Sequence, residues 1–319
     1  MNSTYTTVQW VAFFLIYCFI GWCYESLYVS IRHKRWVNRG FMRGPLLPLY
    51  GSGAIVMLVV TIPFRDNLLL TYLAGCVGAT ALEYVTGVTM EALFKVRYWD
   101  YSTRRFNFQG HICLEATLAW GAFTIIMTRF IHTPIEAFVL GLPQVVVSVI
   151  TVFVSVLAVA DFSVSFKTAL DIRDVLVKLE EVRDEMERMQ KRMDVILAFA
   201  EDKREKVVHN TYERLDELTE ALEERFKNMK ELRDKLELRG VSEDIREKAE
   251  EFKEEVEELR IRFRIDMEQR MQILNRRDFF RRDMILSNPT MKSRHFKNAL
   301  EDIKKAAGKQ HKNRDNNNE

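Results

Sequence analysis

The chain has 319 residues, 48% of them hydrophobic and 29% charged, with 47 Lys and Arg against 45 Asp and Glu for a net charge of +2. That average sums two unlike halves: residues 1–162 hold eight acidic and eleven basic residues, and residues 163–319 hold thirty-seven and thirty-six. The first half carries runs near the roughly 20 apolar residues that cross a hydrocarbon core, the second is too charged to enter one, and its charge balance gives no support to nucleic-acid binding.

Apolar runs predict five spans, at about 8–31, 45–64, 68–94, 112–130 and 134–161, the last two separated by a tight turn at Ile131-His132-Thr133-Pro134. No Lys or Arg occurs in the first 31 residues, and the first run is too long for a signal-peptide core, so it is expected to stay in the protein. Cys18, Cys23, Cys76 and Cys113 all lie inside apolar runs without metal-site spacing and read as small packing residues. Lys and Arg gather in loops 32–44 and 95–111 and after span five, whereas the other two loops hold Arg65 and at most Arg129. Positive loops stay cytoplasmic, which predicts an outward-facing amino terminus and a cytosolic carboxyl half.

That orientation gathers the acids at one depth. Glu25 lies near the inner end of span one, Glu83 and Glu91 in the inner half of span three, Glu115 just inside span four and Asp161 at the inner end of span five. An ionised carboxylate at mid-bilayer costs about 2.5–3.5 kcal/mol on insertion scales, so such groups face the bundle interior and find partners. Glu91, Glu115 and Asp161 are shallow enough to serve as ion-pair partners of the loop arginines. The deeper Glu25 and Glu83 read either as a functional cavity or as buried pairs that fix packing, with Arg39 and Arg43 as their expected partners.

Between loop and span two, Asn38-Arg39-Gly40-Phe41-Met42-Arg43-Gly44-Pro45-Leu46-Leu47-Pro48-Leu49-Tyr50-Gly51 places Gly and Pro where lipid would otherwise demand helix, which suggests a built pocket. The second inner loop carries Tyr98-Trp99-Asp100-Tyr101 and then Phe106-Asn107-Phe108-Gln109-Gly110-His111. Its aromatics suit an interfacial belt, and its amides, with Asn38, could close a polar lid over the acids. His111 reads as a surface histidine.

Gly21-Trp22-x-x-Glu25, Asn38-Arg39-Gly40-Phe41 with Gly44-Pro45 and Pro48-x-Tyr50-Gly51, Leu82-Glu83-Tyr84 with Glu91 and Phe94, Trp99-Asp100-Tyr101, and Phe106-Asn107-x-Gln109-Gly110 recur here in an order that resembles one known family. It is the bacterial membrane-protein family of CmpB-like proteins, labelled type IV ABC-transporter permeases, and the resemblance covers about residues 8–150. The label implies transport. There is no G-x-x-x-x-G-K-[ST] phosphate loop, so ATP hydrolysis would require a separate ATPase subunit. Glu115-Ala116-Thr117-x-x-x-Gly121 with Ile131-x-Thr133-Pro134 looks like an ATPase-coupling loop, but it lies in an apolar span whose far end faces outward.

In the second half no Gly or Pro occurs between Pro143 and Gly240, so span five is expected to run on into a cytosolic helix. Ile172, Val175, Leu179, Val182, Met186, Met189, Met193 and Ile196 alternate three and four apart, as in a coiled coil, and the pattern resumes at Leu215, Leu218, Leu222, Phe226 and Met229. Arg239-Gly240 reads as a stop and Ser242 as the next cap. A third run follows at Ile245, Ala249, Phe252, Val256, Leu259 and Phe263. Arg276 to Arg282 could approach anionic lipid, and the tail after Pro289 reads as disordered.

The expectation is therefore an all-α protein: a polytopic five-helix membrane bundle over 1–162, a long cytosolic coiled-coil helical hairpin over 163–287 with its turn near 240, and a disordered polar tail over 288–319. In the bacterial inner membrane it reads as a transport component with a cytoplasm-facing cavity built from Glu25, Asn38, Arg39, Arg43, Tyr50, Glu83, Glu91, Trp99, Asp100, Asn107 and Gln109. The alternative is a non-transporting scaffold or anchor presenting the coiled-coil arm to a second copy or a cytosolic partner. Paired acids permit acid–base work, but no nucleophile–base pair appears, and neither an enzyme, a cofactor nor a metal is expected.

Overall fold

The computed structural model describes residues 5–200, 243–275 and 279–315. They fall into two compact units, one formed by Met1–Arg173 with Asp278–His295 and the other by Asp174–Arg277 with Phe296–Glu319.

In the first unit, α1 (Thr7–His33) is opened by a capping box in which Thr6 and Gln9 satisfy each other's backbone N–H, and it closes on left-handed Lys34. α2 (Pro48–Thr61) starts on a proline, whose missing N–H costs nothing there, and ends in a short 3₁₀ turn over Ile62–Phe64. α3 (Leu68–Phe94) is capped by the Asn67 side chain and ends on left-handed Lys95. A two-residue hairpin, β1 (Asn107–Phe108) with β2 (Ile112–Cys113), leads into α4 (Leu114–Ile126). One π turn (Met127–Ile131) then joins α4 to α5 (His132–Gly141), and α6 (Gln144–Ala200) follows.

Among the described residues, four helical stretches are long and apolar enough to cross a membrane: Thr7–His33, Leu68–Phe94, Leu114–Gly141 and Gln144–Arg192; Pro48–Phe64 is apolar but shorter. On α6, Val145, Val149, Phe153 and Val156 keep 73%, 64%, 64% and 63% of their surface exposed, an apolar face suited to lipid. The expected turn at 131–134 is corrected. Pro134 sits in the first turn of α5, where it is tolerated, and the helix continues to Gly141. The break falls instead at Leu142, whose extended backbone is what the following Pro143 favours. The fourth span is thus Leu114–Gly141, and the fifth begins at Gln144.

Near the amino-terminal end of the bundle, Ala12, Phe13 and Tyr17 of α1, Ala54, Met57 and Leu58 of α2, Ala79 of α3, Met127, Val139 and Val147 form one buried cluster. Small residues let the helices approach this closely. A Cβ on Gly51 would stand 2.7 Å from the backbone oxygen of Phe14, and one on Gly121 would meet the Tyr72 ring at 2.8 Å. Gly51→Ala should therefore force α1 and α2 apart and cost about 1–3 kcal/mol, the usual range for overpacking, read as a lower thermal midpoint in detergent.

In the second unit the buried apolar residues described on α6 are Leu176, Leu179, Val182, Met186 and Met189, three and four apart. Val175, expected on that seam, is only half-buried. α7 (Glu243–Asn275) buries Leu259, Phe263, Asp266 and Arg270, and α9 (Lys297–Asp315) buries Ala299, Leu300, Ile303 and Ala307. Arg270 reaches Asp302 at 3.8 Å. The expected seam from Met193 through Met229, the turn near 240 and the Ser242 cap lie outside the residues whose side chains are described.

The expectation of a disordered tail is corrected. Between α7 and α9 in sequence come α8 (Phe279–Ser287) and a strap to His295, and both the strap and α9 are ordered. Ala299, Leu300, Ile303 and Ala307 make an apolar stripe at helical spacing, which the Lys- and Asn-rich composition obscures.

Asp266 is 6% exposed, and burial, reinforced by Glu185, pushes its carboxyl up to about 6 from 3.8. A folded-state value above the ordinary one means full stability below 3.8, lost as pH rises through about 6. Asp266→Asn should accordingly slow amide exchange in α7 at about pH 7.5, with the difference shrinking below about pH 5.

Candidate functional site

The site is built at the end of the bundle that carries the loops after α1 and α3. Phe41 fixes the first loop by packing against Phe94, Tyr98 and Phe162, with centroids 5.5, 5.9 and 5.7 Å away. Asn38 accepts from Trp22 Nε1 at 2.6 Å and donates to the Arg43 carbonyl at 2.6 Å, so it braces the loop. Asp161, expected as an ion-pair partner of an arginine, instead accepts the backbone N–H of Gly44 at 2.7 Å.

Arg39 is the hub. Only 9% exposed, it stands 3.6 Å from Glu25 and donates to Asn288 Oδ1 at 2.8 Å, Thr290 Oγ1 at 3.0 Å and the Tyr98 carbonyl at 3.2 Å. Burial lowers its pKa, while Glu25 works to keep the guanidinium charged. Glu25 also accepts from Tyr50 at 3.0 Å. Arg43, expected as a second partner of the membrane acids, faces away from them toward Asp283 at 3.8 Å and lies over the Phe280 ring at 4.2 Å.

Glu83 is 7% exposed and accepts from Tyr101 Oη at 3.0 Å and Trp120 Nε1 at 2.9 Å. Burial raises the Tyr101 phenol well above its ordinary range, and Glu83 adds to this.

Glu91, on the same helix, binds Arg97 at 2.6 Å and His111 at 3.0 Å. His111 was expected at the surface but is 4% exposed. Burial first, and Arg97 beside it, lower the His111 pKa below the ordinary imidazole value, against the opposing effect of Glu91. Trp99 donates to the His111 carbonyl at 3.0 Å. Asn107 ties the second loop to itself, donating to the Arg104 carbonyl at 2.8 Å and accepting from Gly110 at 3.1 Å; the Gln109 amide accepts from Tyr84 at 3.2 Å. Glu115 pairs with Arg104 at 3.3 Å as expected, in an exposed position.

Sequence reading missed the strap. Arg97 and Lys292 exchange backbone hydrogen bonds at 2.7 and 2.9 Å as an antiparallel bridge. Asn288 donates to the carbonyls of Gly40 and Met284 at 2.9 Å each, Ser293 to that of Lys95 at 2.7 Å and Arg294 to that of Gln109 at 2.8 Å. Lys292 binds Asp100 at 3.0 Å. Burial opposes the Asp100 charge, but the hydrogen bonds from Lys292 and Ser102 outweigh it and carry the carboxyl down to about 2. The basic stretch expected near lipid thus belongs, from Phe280 on, to an element docked on the loops. The Asn288-Pro289-Thr290 interruption was the available signal, and its partners lie some 250 residues away in sequence.

Of the expected site residues, Glu25, Arg39 and Tyr50 come together, Glu83 is held separately by Tyr101 and Trp120, Glu91 with Asp100 forms a cluster around Arg97, and Asn38, Trp99, Asn107 and Gln109 hold the loops in place. Among the described residues no group of three or more His, Cys, Asp or Glu is arranged for a metal ion.

Fold and site define a polytopic helical membrane protein whose polar groups concentrate at one end of the bundle. Residues 12–166 match the model of the family described as "Putative ABC-transporter type IV", the CmpB type. All the expected site residues lie inside the match, and the strap lies outside it. Comparison with curated proteins and with solved structures gave no match.

Asn288→Ala removes an acceptor from buried Arg39 and a donor from Gly40, a change worth roughly 1–3 kcal/mol. Tryptic cleavage at Lys292 and Arg294 should become faster while the bundle stays resistant.

Proposed function

We propose that the protein is the membrane component of a bacterial transport system in the cytoplasmic membrane, with its loop end and carboxyl half in the cytosol. The layer around Glu25 and Glu83 is its substrate or proton site. The observation that carries this reading is Glu83: a carboxylate buried among spanning helices and held by a phenol and an indole rather than by a cation. Neutral donors stabilise such a group without fixing its charge, which suits the exchange of a proton or a cation. In this reading the strap covers the cytosolic side of Arg39, and admitting a ligand requires its displacement. The chain performs no catalysis of its own, and a separate ATPase would supply energy.

The strap also favours a second reading, a scaffold in which the bundle anchors the cytosolic helices and its polar groups serve only to hold residues 279–295. Glu83→Gln and Arg39→Gln separate the two when tested by complementation of a deletion strain. Transport predicts that Glu83→Gln accumulates normally and fails to complement. Complementation by Glu83→Gln, with loss only when residues 163–287 are deleted, supports the scaffold. Co-purification in mild detergent should recover an ATPase, and recovery of none at any salt concentration contradicts the transport partner.

A further inference from the structure

The turn into the β1–β2 hairpin leaves two phenyl rings outside the protein, and neither the loop-end site nor the strap uses them. Phe106 is 80% exposed and Phe108 55%. Phe106 has φ +51°, in the left-handed region that a bulky residue rarely adopts, and its carbonyl accepts the Leu114 N–H at 3.3 Å, so the turn is fixed to the start of α4. Backbone outliers of this kind collect at functional positions. The aromatics expected to form an interfacial belt are meanwhile engaged inside: Tyr98 is buried, Trp99 bonds the His111 carbonyl and Tyr101 bonds Glu83. Only the hairpin rings remain free to meet the bilayer from this loop.

The hairpin lies beside α3 and not beyond its end. Phe108 packs on Tyr84 with centroids 5.6 Å apart, and a Cβ on Gly87 would meet His111 Nδ1 at 2.9 Å. α3 begins at Leu68, and a span of roughly 20 residues from there leaves the hydrocarbon core near Gly87. The hairpin therefore stands where acyl chains meet headgroups. Val85 of α3, 60% exposed, and Leu114 and Leu118 of α4, 46% and 48% exposed, continue an apolar surface along the two helices at this level and below it. The charge around the rings is basic. Arg104 and Arg105 immediately precede Phe106 and are both exposed; Arg104 pairs with Glu115 at 3.3 Å, whereas Arg105 has no partner among the described residues. Arg294 brings a third guanidinium to the Gln109 carbonyl at 2.8 Å.

We propose that the hairpin is a binding element for anionic phospholipid, in which Phe106 and Phe108 enter the edge of the acyl chains and Arg105 holds the headgroup phosphate. Phenyl rings beside arginines suit this depth, because the rings leave water while the guanidinium stays among the headgroups. A zwitterionic headgroup offers the same phosphate beside its own cation, so an unpaired arginine favours the anionic lipid. Lipid is the occupant because the rings stand at the level of the hydrocarbon edge and continue the exposed apolar surface of α3 and α4; a cytosolic protein would have to reach them at the bilayer itself. The proposal requires that α3 spans the membrane and does not depend on transport.

The test is spin-label depth measurement on the full-length protein in nanodiscs. Cys18, Cys76 and Cys113 are buried and Cys23 is exposed, so single labels go on Phe106→Cys and Phe108→Cys in a Cys23→Ser background. In phosphatidylcholine, dissolved oxygen should relax both labels more strongly than a neutral, water-soluble nickel chelate does. Replacing half of that lipid by phosphatidylglycerol should raise the oxygen-to-nickel ratio at Phe106→Cys, and Arg105→Gln should abolish the rise while leaving the ratio in phosphatidylcholine unchanged. If Phe106→Cys fails to accumulate, the same comparison on Phe108→Cys decides. Stronger relaxation by nickel at either label places the hairpin in water, as a knob for a cytosolic protein, and overturns the proposal. A ratio indifferent to phosphatidylglycerol, or a rise that persists in Arg105→Gln, overturns it as well.

Discussion

A guanidinium enclosed by protein must be given acceptors by the protein, and the loop end of this bundle is organised around that requirement. Arg39 is almost sealed, and what surrounds it comes from distant parts of the chain: Glu25 from α1, the Tyr98 carbonyl from the loop after α3, and Asn288 and Thr290 from the strap. No two of these elements could supply the full set. The loops hold their shape because they converge on the same charge, and residues 279–295 are ordered because two of its acceptors are theirs.

The acids follow the same logic with different partners. Glu91 lies near the helix end and is neutralised by Arg97 with His111 beside it, an arrangement that fixes a loop. Glu25 shares Arg39 with three other acceptors. Glu83, deeper, has Tyr101 and Trp120, both neutral. Moving from the loops into the bundle, compensation by charge gives way to compensation by hydrogen bonding. At the far end His132 continues the trend, with phenols on both ring nitrogens.

Much of the fold was legible because hydropathy and charge report directly on a bilayer. The spans around Glu25 and Glu83 sit within a few residues of their expected bounds, and the pairing of Glu25 with Arg39 followed from depth alone. The turn between the fourth and fifth spans was misplaced because Pro134 and Pro143 carry the same local signal, and only the helix they sit in shows which one breaks it. The strap was illegible for a different reason. Asn288, Thr290 and Lys292 form a polar segment that looks solvated until their partners are known, and those partners are set by folding over some 200 residues or more. His132 looked like part of a turn because its tyrosine partners sit 115 and 127 residues away.

The central claim is that the strap is part of the polar layer and not an appended tail. Amide hydrogen exchange on the full-length protein in lipid nanodiscs tests it most directly at Arg97 and Lys292, whose N–H groups are bonded to each other's carbonyls. The account predicts that both amides are protected and exchange at a common rate, because either bond opens only when the bridge does. Exchange of Lys292 at the rate of an unstructured chain, with Arg97 still protected, would contradict it.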